Sequence, residues 1–335
     1  MTFALRASIV LSLAFGCTAV QAKPLVVCTE AAPEGFDIVQ YTTAVTADAA
    51  SEALFDRLVR FKPGTTEIEP ALAERWDISS DGLSYTFHLQ DGVKWHDGQP
   101  FTADDVVFSL TEMLPKTHAR AKVILGNFID KVEKSGDLTV KITLKSPFPA
   151  FMLMFEPGFA PMMPKHIYAG TDYANNPANQ KPVGTGPFMF KEWKRGQYIK
   201  LERNPNYWKS GKPYLDELVF NVIPDSASRA VAYERGSVDV LRGGDVDNVD
   251  IKRLRAVPGT EFSTQGWEMF SPQAYLIFNQ RKPPFDNLKV RQAVMHAINR
   301  KFIVDNIFFG MGKIATGPIA STTLYYDKNV PQYPY

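Results

Sequence analysis

The segment from Pro70 to Leu110 constrains the fold more than any other part of the chain, because it combines a half-buried strand, tight turns and a capped helix. Apolar and polar residues alternate through the strand, whose apolar positions are Tyr85, Phe87 and Leu89. This period of two predicts a strand with one face in a core and one face in water. The dipeptides Asp91-Gly92 and Asp97-Gly98 are typical of turns.

A helix is predicted to begin at Thr102, whose hydroxyl can accept a hydrogen bond from the amide of Asp105. Asp104 and Asp105 then lie at the positive end of the helix dipole, where carboxylates are stabilising. The helix has an apolar stripe, formed by Val106, Val107, Leu110 and Met113. Two adjacent carboxylates could also be a catalytic pair, but their place in a first helical turn accounts for them. The whole segment is therefore interpreted as scaffold.

Strand and helix patterns alternate along the rest of the chain and predict a mixed α/β fold. A helix is expected over Thr46–Phe61, with Leu54, Leu58 and Val59 inward. The segment Leu218–Ile223, the helix Ser226–Arg235 and the segment Val238–Leu241 have the pattern of a βαβ crossover. Further strands are predicted at Leu25–Cys28, Leu138–Leu144, Phe188–Trp193, Tyr198–Glu202 and Ala274–Asn279, with a long helix from about Asn287. The strands Phe188–Trp193 and Tyr198–Glu202 are expected to pair across Lys194-Arg195-Gly196.

Composition gives no electrostatic reason for binding nucleic acid, since 37 Lys and Arg residues face 36 Asp and Glu residues in a chain of 335. Residues 1–22 have the pattern of a secretory signal peptide, with Arg6, an apolar run and a cleavage site after Ala22. A lipid anchor at Cys17 is the less favoured alternative. Cleavage after Ala22 would leave Cys28 as the only cysteine, which is interpreted as a small buried residue.

No pattern of residues predicts catalysis, a metal or a cofactor. The histidines are not spaced like metal ligands, and no Cys-x-x-Cys or His-Glu-x-x-His occurs. Gly184-Thr185-Gly186 lacks the Lys of a phosphate loop and is followed by Pro187, so a tight turn is predicted there. The chain also lacks the Gly-x-Ser-x-Gly motif of many serine hydrolases. A secreted hydrolase would need a nucleophile or a metal site of this kind.

Several motifs together resemble the family 5 extracellular solute-binding proteins, which serve ABC importers of peptides and nickel. They are ALAERW, YTFHLQDGVKWHDG, TADDVVFS, PVGTGPF, NPNYW and VRQAVMHAINR. The resemblance implies a two-lobe periplasmic binding protein-like α/β fold of the class II type. In this interpretation residues 23–270 form lobe I, and residues 271–335 begin a lobe II that is only partly present, so that the sequence is an incomplete protein.

The resemblance also implies a function: a periplasmic protein, not an enzyme, that binds di- or oligopeptides in an interlobe cleft and delivers them to the transmembrane subunits of a permease. It further implies a monomer. Contacts with the ligand are assigned by resemblance to Glu30, Glu34, Gly35, Ser271 and Tyr275. An opine, a glycoside or a nickel chelate is the alternative ligand, and a nonfunctional truncated product is a further alternative. Dipeptide-binding relatives pair the cysteine equivalent to Cys28 with one near Val238, where this chain has none.

Overall fold

The computed structural model describes residues 23–155, 158–266, 273–323 and 325–335. The predicted leader and Ser271 lie outside the described residues. The strands are β1 (Leu25–Thr29), β2 (Val59–Phe61), β3 (Ile68–Pro70), β4 (Ala73–Ile78), β5 (Ser84–Leu89), β6 (Ile129–Gly136), β7 (Thr139–Leu144), β8 (Phe188–Lys194), β9 (Tyr198–Arg203) and β10 (Glu217–Val222). The helices are α1 (Ala44–Ala50), α2 (Ala103–Phe108), α3 (Leu114–Thr117), α4 (Ala119–Phe128), α5 (Lys165–Tyr168), α6 (Ser226–Glu234), α7 (Asn248–Leu254), α8 (Leu288–Ala297) and α9 (Arg300–Phe302).

One sheet has the strand order β1-β10-β9-β8. β8 and β9 form the predicted antiparallel hairpin, and β10 is antiparallel to β9 but parallel to β1. After β10 the chain passes through α6, whose cap is Asp225, and returns beside β1. The return is shorter than predicted, since it makes a single parallel bridge from Val240 to Val27. The βαβ crossover is therefore present with a minimal last strand.

The second four-stranded sheet is antiparallel, with the order β4-β5-β7-β6, and β2 and β3 form a separate antiparallel hairpin. The predicted alternation holds in β5, where Phe87 is fully buried and its neighbours Thr86 and His88 are half-buried. On β7, Val140 and Ile142 are also fully buried. One continuous core connects this sheet with α2 and with the aromatic residues that follow β7. Burial of this apolar surface is the main stabilising term of the fold.

The cap of α2 is a reciprocal pair of hydrogen bonds, of which the sequence predicted the one to the Thr102 hydroxyl. Thr102 caps the first turn with its hydroxyl, while the Asp105 carboxylate accepts from the amide of Thr102 at 3.0 Å. Asp105 also accepts from the amide of Lys165 at 3.0 Å and from the indole of Trp95 at 3.4 Å. Asp104 points to the surface and pairs with Lys134 at 2.7 Å. The two carboxylates therefore have separate structural roles.

The predicted helix over Thr46–Phe61 is wrong in extent. α1 ends at Ala50, and the end of the segment is strand β2. The carbonyl groups of Ala53 and Leu54 accept from the amides of Phe188 and Gly186, at 2.9 and 3.0 Å. A longer helix would place both carbonyls in its own hydrogen-bond ladder, so this distant turn competes with the helix. The inward positions Leu54, Leu58 and Val59 are buried nonetheless.

The predicted strand over Ala274–Asn279 is also wrong, because this segment is irregular and Ile277 is 87% exposed. A strand needs a neighbour for its backbone groups, and the described residues provide none beside it. α8 does form after its cap Asn287. However, no described residue from 273 to 335 is buried. Among the described residues, no helix is long and apolar enough to cross a membrane.

Candidate functional site

The carboxyl ends of the parallel strands form the candidate site. β1 ends at Thr29 and β10 at Val222, and the two strands run parallel. The amide of Ile223 donates to the carbonyl of Thr29 at 2.9 Å, and the amide of Cys28 donates to that of Val240 at 3.0 Å. All three chain segments therefore leave the sheet at the carboxyl ends of its parallel strands, which is the edge referred to below. Small ligands commonly bind at this edge of α/β sheets.

Two arginines hold the loops at this edge in place. Arg229, a buried residue of α6, donates to the carbonyl groups of Ile223 and Pro224, both at 2.7 Å, and to that of Asp245. Arg242 follows the bridge residue Val240 and pairs with Asp48 of α1 and with the buried carboxylate of Asp245. The guanidinium groups thus connect β10, α1 and the returning segment, and they are positioning residues of the edge.

Glu30 is the first residue after β1, and it is exposed at the same edge. Asp225 lies three residues after the end of β10 and is exposed. Its carboxylate accepts from the amide of Ser228 at 2.7 Å. Hydrogen bonds from the side chain and the backbone of Ser228 lower the pKa of Asp225. The edge therefore presents a negative charge at Asp225 and a solvent-accessible carboxylate at Glu30, a combination that favours a cationic group such as an ammonium.

Glu34 and Gly35 occupy the loop that continues from Glu30. The Glu34 carboxylate is exposed and accepts from the hydroxyl of Thr43 at 3.4 Å. Gly35 is buried, and its carbonyl accepts from the hydroxyl of Thr46 at 3.2 Å. A Cβ atom at Gly35 would lie 2.5 Å from the ring of Tyr41. The start of α1 thus fixes this loop, and the position requires glycine.

The sequence-predicted residues fall into two groups. Glu30, Glu34 and Gly35 share one loop at the β1 edge. Tyr275 is 65% exposed in the irregular segment, where its hydroxyl donates to the side chain of Gln273 at 2.6 Å. Ser271 lies outside the described residues. The loop after β1 therefore forms one wall of the candidate site.

Sequence reasoning missed Asp48, Arg229, Arg242 and Asp245. Arg242-Gly243-Gly244-Asp245 directly follows the predicted strand Val238–Leu241, so the edge rule for parallel strands was an available signal. Asp48 gave no signal, because its partner lies far along the chain.

Cys28 is fully buried beneath this edge, as predicted. Burial is the main cause that raises the pKa of its thiol to about 11, and the nearby Asp245 adds to the effect. A thiol with such a pKa is almost entirely protonated near neutral pH, so it is a poor nucleophile. Cys28 therefore acts as a packing residue under the site.

The histidines serve the scaffold separately. His88 pairs with Asp77 at 2.8 Å and His166 with Asp97 at 2.7 Å, while His96 binds the backbone of the turn at Gly184. Within the residues that the structure describes, no group of three or more His, Cys, Asp or Glu side chains could hold a metal ion.

The model of one protein family matches residues 67–335; its description is "Bacterial extracellular solute-binding proteins, family 5 Middle". Haemophilus influenzae has a similar protein named heme-binding protein A, 36% identical over 92% of this chain and 59% of its own length. The dipeptide-binding protein of Escherichia coli K12 is 35% identical over 94% of this chain and 62% of its own length. The chain therefore spans about three fifths of the length of these relatives.

A solved structure has the same architecture over the same span. The oligopeptide-binding protein AppA from Bacillus subtilis, in complex with a nonapeptide, superposes with a TM-score of 0.78 at 31% identity, covering 94% of this chain and 62% of AppA. This agreement confirms the predicted periplasmic binding protein-like α/β fold. Together with the family match, which includes most of the sequence, it shows that the chain belongs to family 5 of the bacterial extracellular solute-binding proteins.

Proposed function

We propose that this protein is the substrate-binding component of an ABC importer and that its ligands are di- or oligopeptides. The observation that carries the proposal is the 35% identity, over nearly the whole chain, with a relative named as a dipeptide-binding protein. The nonapeptide bound to AppA supports the same ligand class. The protein would work as a monomer outside the cytoplasm, after cleavage of a leader at Ala22, and deliver its ligand to the transmembrane subunits of a permease.

The carboxyl edge of the sheet forms one wall of the proposed ligand cleft. In this proposal residues 23–270 make up lobe I and residues 271–335 begin lobe II, and Tyr275 belongs to the other wall of the cleft. Ser271, assigned to the same wall by resemblance, lies outside the described residues. Closure of the two lobes on the ligand shifts the population towards the form that the permease recognises, with no covalent chemistry.

Glu30 is the proposed partner of the peptide's terminal ammonium group. Its carboxylate is exposed at the edge, and Asp225, which follows the neighbouring parallel strand β10, adds a second negative charge. Glu34 extends the wall, and the close approach of Gly35 to the ring of Tyr41 holds the loop in place. A charge-assisted hydrogen bond of this kind contributes roughly 1.5–3 kcal/mol.

Calorimetric titration of the protein from its native source tests this assignment with Ala-Ala, Ala-Ala-Ala and N-acetyl-Ala-Ala. We expect the two free peptides to bind and the acetylated peptide to bind at least about tenfold more weakly, because it lacks the ammonium. Glu30→Gln should weaken the free peptides by a similar factor and leave the acetylated peptide unchanged. Glu67→Gln, an exposed carboxylate paired with Lys62 on the β2–β3 hairpin, is the matched control.

Other results would change the ligand or the class of function. Binding of haem, an opine, a glycoside or a nickel chelate, with none of the peptides, would overturn the peptide assignment and retain a solute-binding role. Haem belongs in this set because a relative is named as a heme-binding protein. Hydrolysis of the peptides during the titration would contradict the proposal that the protein is not an enzyme.

A further inference from the structure

The turn Gly184-Thr185-Gly186 connects the half-buried His96 on one side to Asp56 on the other. The amide of Gly184 donates to Nδ1 of His96 at 3.0 Å, and Nε2 of His96 lies 3.0 Å from the carbonyl oxygen of Gly186. Because Nδ1 accepts a hydrogen bond, the ring hydrogen is on Nε2, which donates to Gly186. A second proton on Nδ1 would face the amide hydrogen of Gly184. Only the neutral imidazole therefore fits the turn.

Asp56 contacts the same turn but fits it in both protonation states. Its Oδ2 accepts from the hydroxyl of Thr185 at 3.2 Å and from the indole of Trp208 at 3.0 Å. Its Oδ1 lies 3.4 Å from the hydroxyl of Tyr207. A hydroxyl can donate or accept, so Oδ1 can take a proton and donate it to Tyr207 while both bonds to Oδ2 remain.

The turn is too closely packed to adapt to a charge on His96. A Cβ atom at Gly184 would lie 1.7 Å from the carbonyl oxygen of Leu54, and one at Gly186 would lie 2.6 Å from that of Ala53. The amide of Gly186 donates to Leu54 at 3.0 Å. The turn thus holds the segment that follows α1, the helix whose Asp48 and Thr46 support the candidate site.

The electrostatic surroundings agree with this geometry. Burial lowers the pKa of His96 to about 4, although the carbonyl of Gly186 and the charge of Asp97 oppose this. Burial raises the pKa of Asp56 to about 6, against its hydrogen bonds with Trp208 and Thr185. The charged groups that face Asp56 are Glu52, which adds to the increase in its pKa, and Arg57, which opposes it. Arg60 and Glu52 also face Tyr207 on the other side of the network.

We propose that the Gly184-Thr185-Gly186 turn is an acid-resistant clamp that takes up a proton on Asp56 and excludes one from His96 as the medium is acidified. The two groups then act on folding with opposite signs. His96, with its pKa lowered from 6.5, contributes stability that is present above that value and is lost as the pH falls towards 4. Asp56, with its pKa raised from 3.8, contributes stability at low pH that is lost as the pH rises through about 6. Between about pH 4 and pH 6 the two contributions to stability cancel, so the turn keeps its hold on the segment that follows α1.

The test compares the pH dependence of urea unfolding, from pH 4 to 6, for the full chain and for the variants Asp56→Asn and His96→Gln. An asparagine can accept from Thr185 and Trp208 with its oxygen and donate to Tyr207 with its amide, so the fold is preserved. We expect the stability of Asp56→Asn, relative to the parent, to rise with pH by up to about tenfold per pH unit in the unfolding equilibrium constant. The stability of His96→Gln, relative to the parent, should instead fall as the pH rises. Changes of the same sign in both variants would overturn the proposal.

A second measurement needs no variant. In the parent chain labelled with ¹³C-histidine, the His96 ring is identified by its proximity to the amide of Gly184. We expect its chemical shifts to remain those of a neutral Nε2–H imidazole from pH 7.5 down to about 5.5. Titration of this ring between those values would contradict the clamp.

Discussion

Residues 23–266 and residues 273–335 of this chain have similar patterns of apolar and polar residues but differ in burial. In the first region a single core buries residues from both four-stranded sheets and from the helices between them. In the second, α8 begins after Asn287, where a helix was expected, yet no described residue is buried. The difference shows that an amphipathic pattern is sufficient to begin a helix, whereas burial requires a second layer to pack against.

The largest expected difference is in thiol reactivity, because Cys28 lies in the first region and has a pKa raised to about 11 by burial. We expect Cys28 to react with iodoacetamide at pH 8 at least about 100-fold more slowly than a cysteine introduced by Ser321→Cys in the second region. Peptide mass spectrometry after timed quenching measures both rates in one sample. Equal rates would mean that the first region opens as readily as the second.

Truncation of one apolar side chain in each region gives the next largest effect. Phe87 is fully buried and its ring lies 5.7 Å from that of Phe155, so Phe87→Ala should reduce the free energy of unfolding by about 3–5 kcal/mol. Ile277 is 87% exposed, and Ile277→Ala should change this energy by less than about 0.5 kcal/mol. Urea unfolding followed by tryptophan fluorescence measures both. A comparable loss in Ile277→Ala would show that Ile277 is buried.

Helix caps offer a finer comparison between the regions. Asp105→Ala removes the acceptor of two part-buried amides, those of Thr102 and Lys165, and of the buried indole of Trp95. The loss should cost about 2 kcal/mol, because these donors are left unsatisfied. Asn287→Ala removes the cap that accepts from Lys289 in the exposed helix α8. We expect this second change to leave the main unfolding transition within about 0.5 kcal/mol of the parent. A shift as large as that of Asp105→Ala would indicate that α8 unfolds together with the core.

The sequence was sufficient to predict features that depend on neighbours along the chain. The β5 alternation, the α2 cap and the β8–β9 hairpin each follow from residues within one turn or one hairpin. The end of α1 could not be predicted, because the amides of Gly186 and Phe188 take the carbonyl groups that would continue it. At the candidate site, Glu30 was reached by resemblance, whereas the Asp48–Arg242 pair depends on a contact between distant segments.

Hydrogen–deuterium exchange, measured by mass spectrometry across the whole chain, tests the difference between the two regions most directly. Peptides from β5, β7 and α2 should exchange through global unfolding, with protection of several orders of magnitude. Peptides from residues 288–297 should exchange within about tenfold of the rates of unstructured chain, because no described side chain of α8 is buried. Protection of α8 equal to that of β5 would contradict the account.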